Sequence, residues 1–146
     1  MNDKWRHLFV DGECAARENI LSGLTLEQAV RQPSEGSHTI YEELWHVARW
    51  QHIVAFRDEE AYEAWAKGER YPDGPPASEQ DWHDLVGESL SGLEKALEWT
   101  ESPETLNVES DPGVTMSDNL VALAVHNAYH LGKIVALRQL IGAWPP

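Results

Sequence analysis

The stretch from Leu120 to Ile141 constrains this chain most. Leu123, His126, His130, Ile134 and Leu137 recur there at helical spacing. Residues four apart on a helix lie one turn above another on the same face, so His126 and His130 point together and share the apolar stripe. Two imidazoles on a packing face need partners, because unpaired polar groups are costly to bury. A metal ion is the simplest partner.

The rest of the chain reads as helices separated by breakers. Trp5, Leu8, Phe9, Gly12, Ala16 and Ile20 predict a first helix over 3–22. A short helix over 25–32 follows, opened by the capping pattern Thr25-Leu26-Glu27-Gln28 and stopped by Pro33. The second long helix starts near Thr39, with Glu42 in the capping-box position, and carries Ile40, Leu44, Val47, Val54, Ala61 and Trp65, with His46, Trp50 and Ile53 widening the arc. A break is expected near Arg57–Asp58. Gly68, Pro72, Gly74, Pro75 and Pro76 make 67–77 a linker. Ser78 caps a third helix with Trp82, Leu85, Val86, Leu90, Leu93 and Leu97 on one face. A loop over 100–114, with the turn dipeptide Pro112-Gly113, leads to Thr115 or Ser117, either of which opens the last helix; Gly142 closes it. No segment reads as a strand. The expected fold is all-α, a four-helix bundle in one domain spanning residues 1–146, with a short helix after the first. The linker reaches about 36 Å when extended, against roughly 30 Å for a 20-residue helix, so helices two and three can be antiparallel neighbours or parallel with a crossover.

Composition removes several function classes. A formal charge of −14 argues against nucleic acid and anionic membranes as partners, since both need a basic footprint. No run of 18 apolar residues and no signal-like start are present, so the expected location is cytoplasmic. A single cysteine, Cys14, rules out an intramolecular disulfide and a cysteine-based zinc site. Seven tryptophans are expected in the core or a subunit interface, with one or two lining a pocket.

Helix two brings His46 to a buried arc facing the His126/His130 pair. Three histidines from two helices leave positions open for water or substrate, as catalytic metal sites do. Zincin chemistry is excluded, because position 127 is Asn where a zincin needs Glu. A carboxylate-bridged di-iron site needs two Glu-x-x-His motifs, and only Glu43-Leu44-Trp45-His46 fits. His52 lies about 240° round the helix from His46 and cannot easily face the same ion. His7 and His38 read as surface, and His83 as surface before pocket mouth. Glu42 has two readings of equal weight, helix cap or reach toward the metal. Asn127 and Tyr129 flank the ligands and are expected to orient them or line the pocket with Trp50. Lys133 reads as solvated first, and as a contact for an anionic substrate second.

Thr39-Ile40-x-Glu42-x-Leu44-x-His46, the aromatic Trp50, and His126-Asn127-Ala128-Tyr129-His130-Leu131-Gly132-Lys133-Ile134 resemble the DinB-like (DNA-damage-inducible) superfamily of metalloenzymes. The resemblance spans essentially the whole chain. It implies that His46, His126 and His130 are the metal ligands, that nickel or zinc is the ion, and that the bundle runs up-down-down-up with a crossover between helices two and three. It also implies a homodimer. Asn127 departs from the glutamate often found at that position in the family. Some relatives are transferases or isomerases using low-molecular-weight thiols. The expected function is a divalent-metal-dependent transferase that uses such a thiol on a small-molecule substrate. The alternatives are a metal-dependent hydrolase or a non-enzymatic binding module.

Overall fold

The computed structural model describes residues 3–146, and the chain is mostly helical. In order it forms α1 (Asp3–Arg6) running into a π-turn (His7–Asp11), α2 (Arg17–Leu21), α3 (Leu26–Ala29), α4 (Ile40–Phe56), α5 (Glu59–Ala66), α6 (Glu79–Glu98), α7 (Pro103–Leu106), β1 (Glu109–Asp111), β2 (Val114–Thr115) and α8 (Met116–Leu140).

Local chemistry places most of the boundaries. Thr39 caps α4 by accepting from the Glu42 N–H while the Glu42 carboxylate accepts from the Thr39 N–H, a complete capping box. Thr25 with Gln28 and Thr115 with Asp118 repeat the device at α3 and α8, and Ser78 caps α6 through the Asp81 N–H. The break after α4 falls at Arg57, which adopts the left-handed conformation at φ 53°, and Asp58 then caps α5. Residues 67–77 form no helix or strand, as their prolines and glycines dictate.

Three expectations need correction. The first long helix is broken between the π-turn and α2. At Gly12 a Cβ would lie 2.1 Å from the His7 carbonyl oxygen, so the chain folds back where only glycine fits. The short helix α3 ends at Ala29, ahead of Pro33. The loop over 100–114 contains α7 and a small antiparallel hairpin, in which Glu109 pairs with Thr115 and Asp111 with Val114 around Pro112-Gly113. Two- and three-residue strands leave no alternating pattern to read.

Packing centres on α4, which contacts both α6 and α8. Gln51 meets Ser89 and Ala55 meets Trp99, numbers rising together, so α4 and α6 run parallel. Glu43 meets His130 and Gln51 meets Asn127, numbers running in opposite directions, so α4 and α8 are antiparallel. The core has two apolar clusters. One gathers Ile20, Leu21, Leu44, Ala48, Trp82, Leu85, Leu131 and Ile134; the other gathers Trp5, Phe9, Ala55, Leu93, Leu97, Leu120 and Leu123. Helix α8 is long and apolar enough to cross a membrane by length and composition alone, but Leu120, Leu123, Leu131, Ile134 and Leu137 are buried in these clusters.

Candidate metal centre

His46 on α4 and His126 and His130 on α8 converge, each offering one ring nitrogen, with the three atoms all within 4.8 Å of one another. His46 and His130 are buried at 7% and 6% exposure, and His126 is partly buried. The expected trio therefore comes together in space.

Hydrogen bonds decide which nitrogen two of the three rings present. His46 Nδ1 lies 2.7 Å from the Arg70 carbonyl oxygen. A carbonyl only accepts, so Nδ1 carries the proton and Nε2 keeps its lone pair toward the cluster. His130 Nδ1 lies 2.6 Å from Glu43 Oε2, and the same logic frees its Nε2. His126 Nε2 sits 3.1 Å from His46 Nε2, while its Nδ1 is buried with no hydrogen-bond partner. Burial, followed by the neighbouring His130 and His46, pushes the His126 pKa down to about 4. Burial also lowers His46, against the opposing pull of the Arg70 carbonyl. His46 and His126 thus favour the neutral imidazole, the form that binds metal.

Glu43 is the residue that sequence reasoning passed over. Its carboxylate is 1% exposed and accepts from His130 Nδ1, from Lys133 Nζ at 2.8 Å and from His38 Nδ1 at 3.2 Å. Burial alone would raise its pKa, but the bonds from Lys133 and His130 outweigh it and hold the group below the usual carboxylate range. Its signal was present: Glu43 falls between Val47 and His46 round the buried arc of α4. Lys133 is consequently not a freely solvated lysine, and the pairing with Glu43 raises its pKa despite partial burial. His38 is half-exposed yet reaches the same carboxylate, so it belongs to the site rather than to the surface.

Aromatic rings wall the cluster. Tyr71 stacks on His46 at 4.6 Å, Trp65 lies 4.7 Å from His46, and Trp50 lies 5.2 Å from Trp65 and 6.2 Å from His126. Tyr71 and the Arg70 carbonyl both come from the linker, whose composition suggested only a connection. Tyr129 is 65% exposed and meets His130 edge-on at 5.0 Å, so it stands at the rim. Glu42 follows the first of its two readings, and Asn127 packs beside the ligand pair. Glu42 is spent on the α4 cap. Asn127 is buried beside His126, with which its side chain interacts, and its Nδ2 donates to Gln51 Oε1 at 2.9 Å. His52 pairs with Asp58 at 2.9 Å, and His7 and His83 are exposed, as read.

No curated protein and no solved structure matches the chain. The DinB superfamily pattern matches residues 15–134, a span that begins before α2, ends just past Lys133 and holds His46, Glu43, His126 and His130. With well over half the chain inside that match, this protein belongs to the DinB superfamily.

Proposed function

We propose that His46, His126 and His130 hold a divalent metal ion, nickel or zinc, and that the protein is a transferase using a low-molecular-weight thiol. The observation that carries the reading is the orientation of the rings: Arg70 and Glu43 occupy the Nδ1 atoms of His46 and His130, leaving Nε2 lone pairs to converge. The donor set fits such an ion. Nitrogen ligands at about 2.0–2.1 Å in tetrahedral array stand about 3.3 Å apart, and the His46 and His126 nitrogens are already at 3.1 Å. Three protein ligands leave a position open. An ion there would lower the pKa of a bound thiol or water. Glu43 and the Arg70 carbonyl fix ligand rings, Trp50, Trp65 and Tyr71 keep bulk water off, and Lys133 at the rim faces an incoming anionic group. The parallel α4/α6 and antiparallel α4/α8 pairs support a four-helix bundle in up-down-down-up order.

Elemental analysis of protein purified without an affinity tag tests the first layer. About one ion per chain is expected, lost in His46→Ala and His130→Ala; variants that retain the parent's metal overturn the site. A thermal-shift screen of the loaded protein against low-molecular-weight thiols tests the second, with stabilisation by one thiol expected. Turnover of ester or amide substrates without any thiol would favour the hydrolase. Metal-dependent stability with no turnover would favour a binding module.

We infer further that two copies pair through α8. Val121, Val125, Tyr129 and Leu140 are exposed at 45%, 66%, 65% and 70% on a helix face that carries few charges, in a chain of charge −14. That face lets two acidic molecules approach with little repulsion. Light scattering is expected to give a dimer that Val125→Glu converts to monomer. The exposed, unpaired Cys14 is compatible with a reducing cytoplasm, where we place the protein.

A further inference from the structure

A polar layer crosses the core between the two apolar clusters. Gln51 lies between Ala48 and Ala55 on α4, Ser89 between Leu85 and Leu93 on α6, and Asn127 between Ala124 and Leu131 on α8, each flanking pair being split between the clusters. Arg17 stands likewise between Phe9 and Ile20 on the N-terminal segment. All four are at least nine-tenths buried, and all four line one cavity of about 10 Å³. That is close to the room one water molecule needs.

The layer has a fixed hydrogen-bond polarity. Ser89 offers a backbone carbonyl, which can only accept, so the group of Gln51 2.6 Å from it is the donor Nε2. Gln51 therefore turns Oε1 toward α8 and accepts from Asn127 Nδ2. That leaves Asn127 Oδ1 as a buried acceptor beside the His126 ring, with no well-formed hydrogen bond of its own. Gly92 permits the arrangement, since a Cβ there would come within 2.7 Å of Gln51 Nε2. On the other side, Arg17 Nη2 donates to the Leu8 carbonyl at 3.1 Å and Nη1 is a buried donor with no partner. The residues that carry this unpaired donor and this unpaired acceptor thus line the same small cavity. A water satisfies both by accepting from Nη1 and donating to Oδ1. A halide would serve the guanidinium and leave Asn127 Oδ1 facing an anion.

We propose that this cavity is a buried water site, and that the Arg17–water–Asn127–Gln51–Ser89 chain positions α8 so that His126, the residue beside Asn127, meets His46. Arg17 and Asn127 are then positioning residues. The second half of the proposal rests on the metal reading above; the first does not.

Two measurements test it separately. A crystal structure at near-atomic resolution is expected to show one water within hydrogen-bond distance of both Arg17 Nη1 and Asn127 Oδ1. A direct Arg17–Asn127 bond, an empty cavity, or an anomalous peak there after a bromide soak would each overturn the water site. For positioning, Arg17→Met is compared with Leu93→Ala, a change at an apolar wall of the same cavity, by competition titration of nickel. Arg17→Met is expected to weaken nickel binding several-fold, Arg17→Lys to recover part of the loss, and Leu93→Ala to leave affinity unchanged at a comparable fall in Tm. Equal losses in Arg17→Met and Leu93→Ala would overturn the positioning role. Failure of the parent protein to bind nickel would remove that role together with the metal reading, and the crystal structure alone would then decide the water site.

Discussion

Glu43 Oε2 and His130 Nδ1 lie 2.6 Å apart with both side chains buried, although 87 residues separate them. A carboxylate that fixes the tautomer of a ligand imidazole also raises its basicity, and such partners are worth about 10–100-fold in metal affinity. Glu43→Gln keeps the shape but loses the charge facing Lys133 and His130. Competition against a chelator is expected to show a loss in that range, with far-UV circular dichroism unchanged. Affinity equal to the parent's would mean that Glu43 serves the fold alone.

The metal-free protein is expected to lose stability as pH falls from about 6.5 to about 4. The usual pKa of His126 is 6.5 and its folded value is about 4, so between these limits the unfolded chain binds the proton and the folded chain refuses it. Unfolding is then favoured by up to about 1.4 kcal/mol for each pH unit of descent. His46, lowered by burial, acts in the same direction. Urea titrations across this range check the slope, which His126→Gln is expected to flatten.

Trp50 lies against His126 and Trp65 against His46, two of the proposed ligands, whereas Trp5 and Trp82 are buried in the apolar clusters. Adding Cu²⁺ or Ni²⁺ is expected to quench part of the tryptophan emission. Trp50→Phe combined with Trp65→Phe is expected to abolish most of that quenching, while Trp82→Phe leaves it in place. Quenching that survives the double substitution would put the ion elsewhere.

Gly92→Ala forces a methyl group to within 2.7 Å of the Gln51 amide nitrogen, which is held by Ser89 and cannot swing aside without stranding Asn127. Overpacking of this kind costs about 1–3 kcal/mol. Chemical denaturation is expected to show a loss in that range. Gly87→Ala, on the same helix with open space around it, is expected to show no loss and even a small gain in stability from the better helix former.

The parts of this molecule that the sequence made legible are those set by neighbours in the chain. Thr39 with Glu42, Ser78 with Asp81 and Thr115 with Asp118 are three residues apart, so the starts of α4 and α6 could be read directly and that of α8 narrowed to Thr115 or Ser117. The histidine pair on α8 was legible for the same reason. Arg70 contributes through its backbone carbonyl, which leaves no mark on residue type. Tyr71 sits in a stretch whose prolines and glycines signal only a connection. Glu43 was weighed as half of a di-iron motif and set aside, because its true partners, His130 and Lys133, are brought to it by packing. The break at Gly12 depends on a close approach to the His7 carbonyl that periodicity does not register.

The linker that supplies the Arg70 carbonyl and Tyr71 has a consequence for how this chain can change over time. A connection between helices ordinarily tolerates insertion and deletion, since loop length costs little. Here two of the groups that hold and cover His46 are borne on that connection. A shift of one or two residues between Lys67 and Tyr71 would leave every histidine in place and still release the His46 ring to rotate. The segment with the least secondary structure is therefore expected to be among the least free to vary in length.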